Sequence, residues 1–220
     1  MAARRDLIPP VAGSALALAS VPVEDAPLHI HESESDSLLY VAAGSGSLAL
    51  EAAPEEDLAL GSAALILAGE RAVIEPSAAG LVLLQATVGP EVDRHAPMGA
   101  REVVVAVNET SATQATGARS FRVLIGPHNG STRATLFAGY LPPGRARWHY
   151  HLYDEIVWIP EGPGRVLRRD SDEALGPGAA FRLHPREVHI VENSSPDREM
   201  TLIGIFTPAG SPAAAYLASD

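Results

Sequence analysis

The segment that decides the fold is residues 144–162, GRARWHYHLYDEIVWIPEG, which contains His149 and His151 in an HxH pair and Glu155 four residues later. Successive side chains of a β-strand point to opposite faces, so the two histidines face the same side. The three-residue gap before Glu155 places this carboxylate after a bend, at the start of the next strand. A later segment, HPREVHIVEN, adds His189 from another strand. The pattern therefore predicts three imidazoles and one carboxylate around a single cavity.

This donor set predicts a site for one divalent transition metal ion. Imidazole nitrogen is a borderline donor and carboxylate oxygen a hard one, which suits Mn, Fe, Co, Ni, Cu or Zn. Coordination at roughly 2.0–2.2 Å leaves one or two positions open for water, substrate or dioxygen. The sequence has no cysteine, which excludes disulfides, thiolate nucleophiles and thiolate ligands.

The same residues resemble the two sequence motifs of the cupin superfamily. The first motif, G(x)5HxH(x)3,4E(x)6G, is matched with one residue fewer after its first glycine. The second, G(x)5PxG(x)2H(x)3N, is matched except that His184 and Arg186 replace its Pro and Gly. The matching residues are Gly144, His149, His151, Glu155 and Gly162 for the first motif and Gly178, His189 and Asn193 for the second. The resemblance implies jelly-roll β-barrels, frequent homodimers, and a metal ion bound by His149, His151, Glu155 and His189.

The rest of the chain predicts an all-β fold of two jelly-roll barrels in tandem. Apolar runs of about five to eight residues are repeatedly closed by Gly, Pro, Asp or Asn, which is typical of strands in an antiparallel sandwich or barrel. Residues 35–46 also align with residues 153–164, which indicates an internal repeat. We therefore predict a bicupin with an N-terminal barrel over residues 1–110 and a C-terminal metal-binding barrel over residues 111–220. The segment 90–119 is predicted to connect them.

The first copy of the repeat lacks the ligands of the second. Ser37 aligns with Glu155 and Val73 aligns with His189, and the HxH pair at 29–31 lies two residues too far from its strand. We therefore expect the N-terminal barrel to be a structural partner without metal.

Composition excludes several classes of function. The chain has 220 residues with 46% hydrophobic and 20% charged residues, as in an ordinary globular protein. Its formal charge of −11 arises entirely from residues 1–110 and repels phosphate backbones and anionic membranes. No stretch approaches the roughly 20 apolar residues of a membrane-spanning helix. We expect a cytoplasmic homodimer with a small-molecule substrate and no nucleic-acid or membrane partner.

Three functions fit the predicted site, because one fold can host many chemistries. The first is a metal-dependent dioxygenase, in which Glu155 serves as metal ligand and general base. The second is a metal-dependent isomerase or lyase acting on a sugar-acid-like substrate. The third is a non-catalytic protein that binds a small ligand. Dependence of turnover on oxygen separates the first function from the second.

Residues next to the ligands are predicted to complete the site. Arg147 shares the parity of the HxH histidines, so it either binds a substrate carboxylate or enolate inside the cavity or stays at the rim as a solvent-facing charge. Tyr153 occupies the bend and could reach the pocket entrance as a substrate-binding proton donor. Trp148 and Tyr150 lie on the opposite face, where a dimer contact or a contact between sheets is favoured over substrate stacking.

Overall fold

The computed structural model describes residues 3–51, 53–115 and 117–218, and most of the regular structure in these ranges is β-strand. The first eight strands are β1 (Arg5–Ile8), β2 (Leu16–Val23), β3 (Leu28–Ile30), β4 (Asp36–Leu50), β5 (Glu56–Leu58), β6 (Ser62–Ile66), β7 (Ala72–Val88) and β8 (Val104–Ala106). The other twelve are β9 (Thr113–Gln114), β10 (Ser120–Ile125), β11 (Thr135–Leu141), β12 (Gly144–Arg145), β13 (His149–Tyr150), β14 (Asp154–Trp158), β15 (Gly164–Arg168), β16 (Asp172–Leu175), β17 (Ala180–Leu183), β18 (His189–Asn193), β19 (Met200–Thr207) and β20 (Tyr216–Leu217).

Helix is confined to two short 3₁₀ turns, Val107–Glu109 and Pro127–Asn129, in the part of the chain that the structure describes. None of the described residues forms a helix long and apolar enough to cross a membrane. The prediction of an all-β fold is confirmed.

The first half of the chain forms one eight-stranded antiparallel sheet in the order β1-β2-β7-β4-β6-β8, with β3 paired to β7 and β5 to β4. The long strands β4 and β7 bend together and so contribute to both faces of the unit. Gly44 has a φ of +75° at this bend, and a Cβ there would collide with the carbonyl oxygen of Gly80 on the facing strand. Glycine at position 44 therefore lets the two backbones approach each other where the sheet folds over.

The second half forms two six-stranded sheets instead of one continuous sheet. The first has the order β17-β14-β19-β11-β10-β9, and the second has the order β16-β15-β18-β13-β20 with β12 paired to β18. Buried apolar side chains of both sheets form one cluster, including Phe137 and Val157 from the first and Val166 and Val191 from the second, so the two sheets share a common interior.

Strand register relates the two halves. Asp36 pairs with Val88 in the first half as Asp154 pairs with Thr207 in the second. The residues that the sequence repeat aligned at the entry to β4 and β14 thus hold equivalent places in their sheets.

The segment 90–119, predicted as a connection, contributes strands to both halves. β8 pairs with β6 and closes the edge of the first sheet, whereas β9 pairs with β10 and extends the second. Backbone hydrogen bonds from His95 to Thr132 and from Met98 to Pro127 tie the intervening loop to the second half. The segment is therefore packed structure and not a free linker.

The two halves share an apolar core. Buried side chains from both sides form one continuous cluster, including Leu16, Leu38 and Leu84 from the first half and Leu136, Ile156 and Ile203 from the second. Each half has a further apolar cluster in its own interior.

Buried ion pairs accompany this shared core. Arg133 Nε lies 3.6 Å from Asp36 Oδ2, which joins the second half to the first. Arg182 Nη1 lies 2.6 Å from Asp154 Oδ2, and its Nη2 donates to the carbonyl oxygen of Leu16 across the junction. These pairs fix the orientation of one half against the other more than they add stability, because burying charges has its own desolvation cost.

Candidate metal centre

Three histidines meet inside the second half of the chain. His149 in β13 pairs directly with His189 in β18, and His151 follows β13 on the same side. The ring centroids are 4.5 Å apart for His149 and His189, 5.1 Å for His149 and His151, and 5.0 Å for His151 and His189. One ring nitrogen from each residue lies within 4.8 Å of the other two, and all three side chains are buried. The imidazoles converge, as strand alternation predicts.

Backbone carbonyls orient two of the rings. His149 Nδ1 lies 2.8 Å from the carbonyl oxygen of Arg147, and His189 Nδ1 lies 2.8 Å from that of Glu187. A carbonyl oxygen only accepts, so each Nδ1 carries the proton and each Nε2 keeps its lone pair. Histidines that bind metals are usually held in this way. The donor set and its tautomers therefore fit a divalent transition metal ion.

Burial keeps the three rings neutral. Burial, and then the neighbouring His189 and His149, lowers the pKa of His151 to about 3. Burial and His149 lower the pKa of His189 to about 4, and burial and the charge of Arg119 lower the pKa of His149. The backbone of Ala214 lies close enough to the His151 ring to raise that pKa slightly, but the buried Nδ1 forms no hydrogen bond of normal geometry with the described residues. Neutral imidazoles release no proton when they bind a metal ion.

Glu155 lies beside the three rings. It stands near the start of β14, and its Oε2 is 3.6 Å from His151 Nε2. It is not one of the three residues whose donor atoms all lie within 4.8 Å of one another. Burial, and then the charge of Asp154, raises the pKa of Glu155 to about 8. In the metal-free protein this carboxyl group therefore carries a proton at neutral pH.

The histidines and Glu155 line a cavity of about 90 Å³ with mainly apolar walls. Val157 and Val191 line it, whereas Ile159, two residues after Val157, is buried in the surrounding apolar core. Further apolar walls come from Phe121, Phe137, Leu141, Leu183 and Leu202. This volume is smaller than the roughly 300–1,000 Å³ of most small-molecule pockets.

Arg119 is a cavity residue that the sequence analysis missed. It immediately precedes β10, and it lines the cavity together with Ser120 and Phe121. The alternation rule that was applied to the HxH strand also relates Arg119 to Phe121, two residues later. Alternation thus indicates that Arg119 and Phe121 share a face, but only the structure shows that this strand lines the cavity of the three histidines.

The C-terminal segment is a second wall that the sequence did not predict. Pro212, Ala213 and Ala215 line the cavity, and β20 (Tyr216–Leu217) holds this segment against β13. The small apolar residues of this segment show neither the helical nor the strand periodicity that would predict a buried segment. Its role is set by a contact with a strand more than 60 residues earlier in the sequence.

Tyr153 is part of the cavity wall and does not lie at an open entrance. Its ring stacks on Phe206 at 4.0 Å between centroids and on His151 at 4.6 Å. Burial, and then the charge of Glu155, raises the pKa of Tyr153 well above its usual value. The phenol therefore stays protonated and can donate a hydrogen bond.

The structure does not place the Arg147 side chain in the cavity. Arg147 is exposed and borders a cleft near Gly144 that adjoins the cavity at Leu141 and Val191, so the rim position is the one that fits. The physical reason is that β12 ends at Arg145 and β13 begins at His149, so strand alternation does not extend through residue 147. The contribution of Arg147 to the site is its backbone carbonyl, which orients His149.

The aromatic residues on the outer face find partners within the chain. Tyr150 stacks on Tyr216 with ring centroids 5.4 Å apart, and the Arg169 guanidinium lies 5.4 Å from the Trp148 ring. This stacking lies within one sheet, because β13 pairs with β20, so for Tyr150 it is not the predicted contact between sheets. A contact between two copies of the chain stays a prediction.

The turn before His189 has a counterpart in the first half. Arg186 replaces the motif glycine yet adopts the left-handed φ of +67°, and its N–H donates to the carbonyl oxygen of His151 at 2.6 Å. In the first half Gly69 has a φ of +84°, and its N–H donates to the carbonyl oxygen of Glu32 at 2.7 Å. Both halves thus form the same turn. In the second half the backbone of Arg186 is strained, because a residue with a side chain disfavours a left-handed φ.

This equivalence corrects the alignment of the first copy by one residue. Ala72, and not Val73, occupies the position of His189, because Ala72 pairs with Ile30 as His189 pairs with the first histidine of its HxH. A slip of one residue reverses the face of a strand. The HxH at 29–31 therefore turns both of its histidines outward, where they are exposed.

The fold and the site together define an all-β jelly-roll protein with a buried group of three histidines. The chain aligns with a point mutant of Bacillus subtilis oxalate decarboxylase OxdC at a TM-score of 0.76 and 12% identity, over 93% of this chain and 71% of that one. Another structure of that enzyme, which concerns its Mn(II) centres, aligns at a TM-score of 0.73 and 13% identity, over the same shares of the two chains. AerE from Microcystis aeruginosa aligns at 0.69 and 15% identity, over 88% of this chain and 87% of that one. At these identities the likeness shows the fold.

Sequence similarity to curated proteins is shorter. L-ectoine synthase of Rhodococcus opacus strain B4 is 38% identical over 63 residues, which are 28% of this chain and 46% of that protein. The chain thus spans about half the length of the curated relatives it matches. No protein-family model matches the chain.

Proposed function

We propose that this protein is a metal-dependent enzyme that carries out proton-transfer chemistry, of the lyase or isomerase type, on a small organic molecule. The observation that carries this proposal is the convergence of three neutral, buried imidazoles beside a buried carboxyl group in one small cavity. Perturbed ionisable groups gathered in a cavity are typical of catalytic sites.

The proposed metal ligands are His149, His151 and His189 through ring nitrogen, with the Glu155 carboxylate as the fourth. A divalent ion such as Mn, Fe, Co, Ni, Cu or Zn suits these donors. When bound, the ion supplies a Lewis acid that polarises a substrate oxygen.

The chain's own residues supply the proton chemistry. In the metal-free protein burial raises the pKa of Glu155 to about 8. Beside a bound cation the group would ionise more readily, so it would serve as a ligand and, when detached from the ion, as a general base toward a substrate in the same cavity. Tyr153 donates a hydrogen bond as a neutral phenol and holds the ring of His151 by stacking on it. The apolar walls exclude water, which strengthens the electrostatic interactions inside.

The reaction class follows from these groups together with the relatives. The similar proteins named above include a decarboxylase and a synthase, and none of them is named as a dioxygenase. This favours the isomerase or lyase interpretation over the dioxygenase that the motif first suggested.

For the first half of the chain we propose a structural role. Residues 1–110 would form a cupin barrel without metal, packed through the shared apolar core against the catalytic barrel of residues 111–220. We also propose that the protein forms a homodimer, which light scattering tests directly.

Metal stoichiometry tests the site. Elemental analysis of the purified protein should find close to one divalent transition metal ion per chain. Two equivalents would contradict the metal-free role of the first half, and a protein that takes up no divalent metal would contradict the proposed function.

Turnover with and without oxygen tests the reaction class. The metal-loaded protein is incubated with small 2-oxo acids, hydroxy acids and dicarboxylates under nitrogen and in air, and products are followed by NMR. Equal turnover in the two atmospheres supports the proposal. Turnover that consumes oxygen would make the protein a dioxygenase, and saturable binding of these compounds without turnover would make it a binding protein.

A further inference from the structure

The outer side of the strand that carries Glu155 is anchored to the first half of the chain. β14 begins at Asp154, directly before Glu155, and follows a bend at residues 152–153. Side chains of a strand alternate, so Asp154 faces away from the cavity that Glu155 lines. Asp154 Oδ2 accepts hydrogen bonds from Ser14 Oγ at 2.5 Å and from Arg182 Nη1 at 2.6 Å. The first residue of the strand is therefore held from outside the cavity.

Arg182 ties this anchor to two further elements. It lies on β17, where it pairs with Ile156 of β14. The next residue, Leu183, pairs with Glu155 and lines the cavity. Arg182 Nη2 donates to the carbonyl oxygen of Leu16 on β2 at 2.7 Å. One guanidinium fork therefore joins β14, β17 and the first half of the chain at the place where Glu155 enters the cavity.

The anchor is buried and depends on few contacts. Only 8% of the Arg182 side chain and 13% of the Asp154 side chain are exposed. Asp154 Oδ1 is buried without a hydrogen-bond partner among the described residues, so the side-chain hydrogen bonds of this carboxylate are made by Oδ2 alone. Removal of the guanidinium would leave a buried carboxylate without its ion pair, which is strongly unfavourable. The start of β14 would then be free to shift.

Resting on the proposed function, we infer that Arg182 is a positioning residue for Glu155. Together with Ser14 it holds the start of β14 where the Glu155 carboxylate can join the three histidines on one metal ion. Functional groups work when neighbouring residues hold them within about 0.5 Å of the productive geometry. Glu155 is the second residue of its strand and lies next to a bend, so its place depends on the anchor at that end. The first half of the chain thus helps to build the metal centre.

The sign of the effect on metal affinity separates positioning from charge. Arg182→Gln removes a positive charge beside the strand of Glu155, so charge alone would raise the affinity for a cation. Loss of positioning lowers the affinity, because the carboxylate is no longer held at the ion. We therefore expect the cobalt(II) affinity of Arg182→Gln, measured by competition with a chelating dye, to fall about 10- to 100-fold. Arg182→Lys keeps the charge without the fork and should fall between wild type and Arg182→Gln.

The absorption spectrum of bound cobalt(II) reports the ligands of the ion. At saturating cobalt, the spectrum of Arg182→Gln should move toward that of Glu155→Ala, which lacks the carboxylate. A change that only destabilises the fold would leave the spectrum of the folded protein as in wild type. Ser14→Ala removes one hydrogen bond from the first half without changing any charge, and it should lower cobalt affinity by a smaller factor, about threefold.

Arg133→Gln is the matched control. Arg133 forms an ion pair across the same junction with Asp36, which corresponds in register to Asp154. These side chains are buried to a similar degree, with 6% of Arg133 and 4% of Asp36 exposed. Asp36 precedes Ser37, which is not a proposed ligand. Arg133→Gln should therefore lower the free energy of unfolding and leave the affinity and spectrum of cobalt as in wild type.

The outcomes separate this inference from the proposed function. If the wild-type protein binds no cobalt, the proposed function fails and the inference fails with it. If Arg182→Gln binds one ion at least as tightly as wild type does, with the wild-type spectrum, the inference is wrong and the metal site stands. An equal loss of affinity in Arg133→Gln would also contradict the inference, because any defect at the junction would then act alike.

Folding of each variant is checked first by circular dichroism. If Arg182→Gln does not fold, Arg182→Lys and Ser14→Ala carry the test. Weaker cobalt binding in both, with a shifted spectrum in Arg182→Lys, supports the inference. Affinity and spectrum equal to wild type in both would overturn it.

Discussion

The cross-strand pair His149–His189 in the second half corresponds to the pair Ile30–Ala72 in the first. Both pairs join a short strand to the strand that follows a left-handed turn, and both are buried. One pair provides two of the proposed metal-binding nitrogens, and the other provides apolar packing. The comparison shows that the same arrangement of strands can enclose either a polar site or a packed apolar core, depending on the residue types at a few inward-facing positions.

A second pair of positions distinguishes the interiors of the two halves. Gly204 pairs with Val157 in β14, and a Cβ at residue 204 would collide with Phe137 and approach Glu155 Oε1. The corresponding residue of the first half is Gln85, which pairs with Leu39. Glycine leaves space for the carboxyl group, whereas the larger side chain occupies it.

Gln85 is held by polar partners of its own. Its Nε2 donates to Ser37 Oγ at 3.1 Å, and its Oε1 accepts from Arg4 Nη1 at 2.6 Å. Ser37 stands where Glu155 stands in the other half. The first half thus replaces a buried carboxyl group with a satisfied amide and hydroxyl, which need no metal ion and no proton.

Alanine substitution of one residue from each of the two equivalent strand pairs should give the largest difference in metal occupancy. His189→Ala removes a proposed ligand, so metal affinity should fall at least about 100-fold and occupancy should approach zero. Ile30→Ala should leave occupancy unchanged and lower the free energy of unfolding by about 2–5 kcal/mol, because it opens a cavity in an apolar core. Elemental analysis and chemical denaturation measure both. Metal loss in Ile30→Ala would contradict the assignment of a single metal site.

The pH dependence of stability gives an intermediate effect. In the metal-free protein Glu155 has a pKa of about 8 against 4.5 when unfolded, so its contribution to stability is fully present below pH 4.5 and is lost as the pH rises through 8. The histidines have lowered pKa values, so their contribution is lost only as the pH falls below 6.5. Between pH 6.5 and 9 the free energy of unfolding should therefore fall by up to about 2 kcal/mol.

Glu155→Gln isolates this effect. The variant has no carboxyl group at residue 155 to deprotonate, so the free energy of unfolding of the metal-free protein should no longer fall above pH 6.5. Its metal affinity should be lower than that of wild type. Ser37→Ala, the matched change in the first half, should leave the slope as in wild type. Urea denaturation at several pH values checks this, and an equal slope in wild type and Glu155→Gln would assign the titration to another group.

The left-handed turns give the smallest effect. Gly69→Ala places a side chain at a φ of +84° with no atom within 4 Å to clash, so its cost is backbone strain of about 1 kcal/mol. Arg186→Gly relieves the same strain in the other half and should raise the free energy of unfolding by about 0.5 kcal/mol, part of the gain being lost to chain entropy. Thermal denaturation of the two variants should shift in opposite directions; shifts in the same direction would mean that side-chain contacts dominate.

Much of the site could be read from spacing alone. The HxH pair and the gap before Glu155 are local features, and strand alternation brings the two imidazoles to one side without knowledge of the rest of the fold. His189 came from the second motif, and the structure places it opposite His149. Of the two positions left open for Arg147, the rim fits for a local reason too, since a break between strands ends the alternation on which the cavity position rested.

By itself, the sequence determined the all-β class, the shared side of His149 and His151 and the absence of thiolate chemistry, because these depend on residue type and short-range period. Tertiary structure decided that Arg119 and the C-terminal segment close the cavity, that Gly204 makes room for Glu155, and that the HxH at 29–31 faces outward. These features depend on which strands pair and in what register, and a shift of one residue exchanges the inside of a strand for its outside.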